Sequence, residues 1–81
     1  MGYHKIKIEK GILGEHTKII EEFTEWQDAF GQSNPIMELV ELSDLLGAIE
    51  AYTKERHNID MVDLLKMTRA TQDAFKDGSR K

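Results

Sequence analysis

Cysteine is absent from this 81-residue chain. No disulfide can brace the fold, no zinc–thiolate centre can form, and cysteine nucleophile chemistry is excluded. Gly-rich phosphate loops and a Ser-His-Asp signature are missing as well. No run is apolar enough to span a bilayer. Met1 to Lys10 lacks the apolar core of a signal peptide, so a soluble cytoplasmic chain is expected. Repeats and low-complexity tracts are also lacking. Basic excess is absent: 15 acidic residues stand against 11 basic ones, a net charge of −4. That balance argues against a general binder of nucleic acid polymers. It leaves nucleotide substrates open, because bound metal ions invert the local field. A chain this short makes one domain with a limited core. With no disulfide available, oligomerisation is the remaining staple unless the core is unusually well packed.

What is present reads as an all-α chain with a short extended start. Ile6 and Ile8 alternate with Lys5, Lys7 and Glu9, the pattern of a brief strand or extended arm. Gly11 and Gly14 break the chain before a first helix expected from about Glu15 to Phe30. In that helix Ile19, Phe23, Trp26 and Phe30 form one apolar stripe. Gly31 is expected to end it, with Gln32-Ser33-Asn34 as a tight connection. Asn34 is a natural N-cap and Pro35, the single proline, suits the first helical position of a second helix reaching roughly Lys54. Leu39, Leu42, Leu46, Ile49 and Thr53 make its main stripe, while Met37, Leu45, Ala48 and Tyr52 occupy another side. Apolar on most sides, it should be central and buried. A third helix is expected after Asp60, with Asp63 as a capping-box analogue and Gly78 at its end. Met61, Leu64, Leu65, Thr68 and Phe75 share its apolar face, and Ser79-Arg80-Lys81 reads as a frayed tail. Helix two carries more apolar surface than two neighbours can cover. A bundle formed with another subunit, a dimer or a tetramer, is therefore expected.

The carboxylates carry the chemistry. At about 100° per residue, Glu22 flanks the apolar stripe of helix one and Glu25 lies one turn on. Glu21 points nearly away from the core. Glu22 and Glu25, three apart, can converge on one ion. Glu41 and Asp44 are also three apart on helix two, among Met37, Leu45 and Ala48 rather than lysines or arginines. Carboxylates in apolar surroundings are costly to bury without a cationic partner. An antiparallel hairpin can bring the two pairs together, and their mutual repulsion then calls for a hard divalent cation, Mg²⁺ or Mn²⁺. Either pair alone reads most simply as solvated surface; two pairs on consecutive helices weigh against that.

These residues resemble the MazG signature. That signature has two adjacent glutamates, a third glutamate three on, and then a glutamate with an aspartate three on. Here it reads Glu21-Glu22-Phe23-Thr24-Glu25 and Glu41-Leu42-Ser43-Asp44. Lys10-Gly11, Lys18-Ile19-Ile20, Asp28-Ala29, Leu45-Leu46-Gly47-Ala48-Ile49, Leu65-Lys66-Met67 and Ala74-Phe75 are similar to the flanks of small phage-type MazG-like proteins. The resemblance implies an all-α, Mg²⁺-dependent nucleoside triphosphate pyrophosphohydrolase that cleaves between the α and β phosphates. A phage-type member would work in the host cytoplasm. The resemblance implies Glu22, Glu25, Glu41 and Asp44 as metal ligands, and Glu21 as a ligand of a second ion or the group that orients water. The chain is shorter than many members, and a partner subunit could supply the wall that a further C-terminal helix gives them.

Lys18, Lys66 and Arg69 are candidates for phosphate contacts, against the plainer reading of exposed charges or simple salt bridges. Trp26 could stack on a base, although its place in the apolar stripe favours a core role. Tyr52 lies on the carboxylate side of helix two and is a candidate substrate contact. His4, His16 and His57 lack a metal-binding spacing and read as surface residues. The rival from a different class is a catalytically silent helical module that binds a nucleotide or protein. A purely structural bundle is the third reading, and it has no use for convergent carboxylates.

Overall fold

The computed structural model describes residues 4–80, and all of its regular structure is helical: α1 (His16–Gly31), α2 (Pro35–His57) and α3 (Met61–Asp77). The described residues contain no strand, so the alternation at Ile6 and Ile8 does not produce one. Of the two expectations for this segment the strand is absent, and residues 4–15 run as irregular chain against α1. Gly11 makes this possible, because a Cβ at that position would overlap the Thr17 carbonyl. The Thr17 hydroxyl accepts from the Ile12 N–H at 3.1 Å, and Glu15 enters α1 without a side-chain cap.

The α1–α2 connection departs slightly from expectation. Gly31 remains helical, and Ser33 takes the left-handed conformation (φ 55°) that turns the chain. Asn34 then caps α2, its Oδ1 accepting from Met37 N at 3.2 Å, and Pro35 occupies the first turn, where no N–H is needed. α2 runs to His57, one turn past the expected end. Asn58 stops it in the left-handed conformation, with Asn58 N–H donating to the Lys54 carbonyl and Ile59 N–H to that of Thr53.

The expected capping box on α3 does not form. Asp60 is the N-cap residue but its carboxylate accepts from Lys54 Nζ at 2.9 Å instead of from the helix backbone. Gly78, at φ 81°, ends the helix as its position suggests. The tail is tied back as far as Arg80, whose Nη1 donates to Thr71 Oγ1 at 3.1 Å; Lys81 lies outside the described residues.

α1 and α2 pack along each other as an antiparallel hairpin, and among the described residues α3 approaches only α2. The radius of gyration is 14.4 Å, with extents of 38 × 29 × 19 Å. A compact domain of this length would have a radius of roughly 12 Å. The excess follows from burial. Ala29 and Ala48 are the only fully buried apolar residues described, and they mark the close approach of α1 and α2. Leu39 (68 % exposed), Ile36, Val40 and Leu46 on α2 face outward, as do Phe23 and Phe30 on α1 and Val62, Leu65, Met67 and Phe75 on α3. Helix α2 is therefore central in the chain order of packing but not buried. Leu39 and Leu46, from its expected main stripe, lie outside, and Ala48 from the other side turns inward with Glu41.

Candidate carboxylate site

The most buried large side chains are three glutamates: Glu41 at 0 %, Glu21 at 3 % and Glu22 at 7 % exposure. Helical periodicity explains two of them. Glu22 on α1 and Glu41 on α2 sit on the faces that the hairpin closes, the same faces that bury Ala29 and Ala48 two turns further on. Glu25 follows Glu22 by one turn and is half-buried; Asp44 follows Glu41 by one turn toward solvent.

Glu21 differs from expectation. A helical wheel points it outward, yet it is buried because residues 10–12 cover it. Its Oε1 accepts from Gly11 N–H at 2.7 Å and from Lys18 Nζ at 3.1 Å, and Lys10 Nζ stands 3.6 Å from Oε2. These partners hold the Glu21 carboxyl below its usual range even though burial alone would raise it. Lys18 also reaches Glu22 Oε1 at 3.6 Å, and its ammonium is held above its ordinary value mainly by the hydrogen bond to Glu21.

The remaining carboxylates are less completely compensated: Lys18 faces only one oxygen of Glu22, and His4 only one of Glu41. Glu22 Oε2 and Glu41 Oε1 are buried with no hydrogen-bond partner among the described residues. Burial pushes the Glu25 carboxyl up to about 7, helped by its contact with Glu22 and the charges of Glu22, Glu41 and Glu21. Burial likewise raises Asp44, with Glu41 as its hydrogen-bonding neighbour and the charges of Glu22 and Glu41 adding to it. A buried carboxylate costs several kcal/mol unless something cationic or a donor faces it. Glu21, Glu22 and Glu25 can each offer an oxygen to one point, all within 4.8 Å of one another.

One group was invisible in the sequence pattern. His4 bridges the hairpin: Nδ1 lies 2.8 Å from Asp28 Oδ2 and Nε2 lies 2.9 Å from Glu41 Oε2. Its side chain is 7 % exposed, so it is not the surface residue its spacing suggests. Asp28 is held below the ordinary aspartate range, first by His4 and then by Gln32 and the Lys5 N–H. Asp28 carried a detectable signal, because Glu22, Glu25 and Asp28 recur every third residue on one helix. His4 had none, since 24 and 37 residues separate it from its partners.

Other candidates lie elsewhere. Lys66 and Arg69 are exposed on α3 beside Val62 and Leu65, on the helix that does not approach α1. Tyr52 packs edge-on against His57 at 5.8 Å and sits eight residues beyond Asp44, roughly 12 Å along the helix. Trp26 donates Nε1–H to Glu38 at 3.2 Å and stacks against Phe30 at 6.0 Å, which commits both its polar edge and one face. Among the described residues no helix is long and apolar enough to cross a membrane. Comparison with protein-family models, with curated proteins and with solved structures gives no match.

Proposed function

We propose that this chain is a homo-oligomeric, Mg²⁺-dependent nucleoside triphosphate pyrophosphohydrolase of the MazG-like kind, giving a nucleoside monophosphate and pyrophosphate. The observation that carries the reading is the pair of unpartnered oxygens, Glu22 Oε2 and Glu41 Oε1, buried where Glu25 and Asp44 add further negative charge. Buried oxygens without a hydrogen-bond partner call for an explanation, and a bound cation is one that also accounts for the clustering of negative charge around them. Hard oxygen donors in this number suit Mg²⁺ or Mn²⁺, and Glu22, Glu25, Glu41 and Asp44 are the proposed holders; Glu25 belongs to both groups of converging ligand atoms, one with Glu21 and Glu22 and one with Glu41, whereas Asp44 belongs to neither. When bound, such an ion neutralises polyphosphate and stabilises charge that develops in the transition state.

The chain's own residues set up that chemistry. Glu21, with Oε1 shared between Gly11 and Lys18, holds the residues 10–12 segment over the site and keeps Lys18 beside Glu22. Glu41 and Glu22 are enclosed where α1 packs on α2, at 0 % and 7 % exposure, which restricts the room their open oxygens have to move. Lys18 is the one candidate phosphate contact that stands beside these carboxylates. Lys66 and Arg69 would have to come from another subunit.

A second copy of the chain is the natural cover for the outward apolar residues of α2 and α3. Patches of this kind are uncommon on stable monomers, and two alanines are a very small core. The place of Lys66 and Arg69 on α3, which does not approach α1, favours, for a lone protomer, the rival reading of a catalytically silent binding module.

The test is pyrophosphate release from a panel of nucleoside triphosphates, with and without Mg²⁺, for the wild-type chain and Glu41→Gln. Metal-dependent release that Glu41→Gln abolishes supports the enzyme and identifies its substrate. No release, with a nucleotide-dependent rise in melting temperature, would move the reading to the silent module.

A further inference from the structure

The geometry points to His4 as a nitrogen ligand in a mixed imidazole–carboxylate metal position with Glu25 and Glu41, one that takes a divalent transition ion such as Mn²⁺ or Co²⁺ in preference to Mg²⁺. The inference rests on the reading that these carboxylates hold a divalent cation, and it goes further by naming the ion class and a ligand from outside the helices. One donor atom from each of His4, Glu25 and Glu41 lies within 4.8 Å of the other two. His4 Nε2 and Glu41 Oε2 are 2.9 Å apart. Two neighbouring ligands of an octahedral ion, with bonds of about 2.1 Å, stand roughly 3 Å apart, so the pair already has the spacing of one octahedral edge. Glu41 is fully buried, and its other oxygen, Oε1, has no hydrogen-bond partner among the described residues, so this carboxylate has donor capacity to spare.

The outer face of the ring is built as well. Asp28 Oδ2 sits 2.8 Å from Nδ1 and also accepts from Gln32 Nε2 at 2.8 Å and from Lys5 N–H at 3.3 Å. A carboxylate on the far nitrogen fixes the tautomer and orientation of a ligating imidazole and raises its basicity. Imidazole suits the later first-row ions best and Mg²⁺ favours oxygen donors, so replacing one oxygen by Nε2 moves preference away from Mg²⁺ toward Co²⁺; Mn²⁺, which shares the oxygen ligands of Mg²⁺, shows the smallest preference and serves as the paramagnetic probe.

The experiment is Mn²⁺ titration of the full chain with pulsed EPR, set beside Mg²⁺ titration by calorimetry, on wild type, His4→Gln and Glu41→Gln. His4 precedes all three helices, so His4→Gln should retain the wild-type helical circular dichroism. The expected result is ¹⁴N coupling to Mn²⁺ in wild type and its loss in His4→Gln. Mn²⁺ affinity should fall about tenfold or more in that variant, while Mg²⁺ affinity stays within about a factor of two. Mn²⁺ binding without ¹⁴N coupling, or coupling that survives His4→Gln, overturns the assignment of His4; if Glu41→Gln still abolishes binding, the carboxylate site stands. Wild type that binds neither ion removes both readings together.

Discussion

The N–H of Gly11 donates to Glu21 Oε1 at 2.7 Å, which closes the chain ahead of α1 over a carboxylate that would otherwise face water. Gly11 is the only residue type that fits there, because a Cβ would overlap the Thr17 carbonyl. Gly11→Ala should therefore cost about 1–3 kcal/mol through overpacking and the lost donor to a buried carboxylate. Gly47, in mid-α2 with nothing near its missing Cβ, is the control, and Gly47→Ala should gain about 0.5–1 kcal/mol. Urea unfolding of both variants measures the contrast. Equal effects would mean that the Gly11 contact does not constrain the fold.

Glu25 gives the pH dependence. Its carboxyl is raised from 4.5 to about 7, so the folded chain holds a proton there that the unfolded chain has already released. Stability contributed by this group must fall as pH rises across that window and level off above it. Asp44, also raised, acts in the same direction. Glu21 is lowered and acts oppositely, but its contribution is lost only in acid below its unfolded value. Melting temperature should decline from about pH 5 to about pH 7, and Glu25→Gln should flatten that decline. Mg²⁺ added above neutrality should recover the loss. A profile in Glu25→Gln identical to wild type would assign the slope to other groups.

The starts of α2 and α3 differ in a measurable way. Asn34 accepts from Met37 N–H, so Asn34→Ala should cost about 1 kcal/mol. Asp60 spends its carboxylate on Lys54, an exposed pair worth less than about 1 kcal/mol. Asp60→Ala should therefore be the milder change in thermal unfolding. The reverse order would show that Asp60 caps α3 in solution.

The outward face of α2 predicts self-association. Sedimentation equilibrium should give a mass of at least twice 9.3 kDa, and melting temperature should rise with protein concentration. Leu39→Glu places a charge on a widely exposed part of that face and should shift the population toward monomer with reduced stability. A wild-type monomer at every concentration would leave the apolar face for some other partner.

Local signals in the chain determined the three helices. Asn34-Pro35 opened α2, Gly78 closed α3, and the three-residue spacing of Glu22 with Glu25 and Glu41 with Asp44 placed each pair on one helical face. Each of these depends on backbone geometry within a turn or two, which sequence spacing reports directly. Three features depended on tertiary structure. Helix α2 is apolar on most sides, so its leucine stripe could not say which side turns inward, and only the packing of α1 against α2 decided that Glu41, with Ala48, would be buried. The wheel of α1 counts only its own residues, so it could not show Gly11 covering Glu21. His4 joins Asp28 and Glu41 across 24 and 37 residues of sequence, and such a contact exists only once the hairpin has brought their helices side by side.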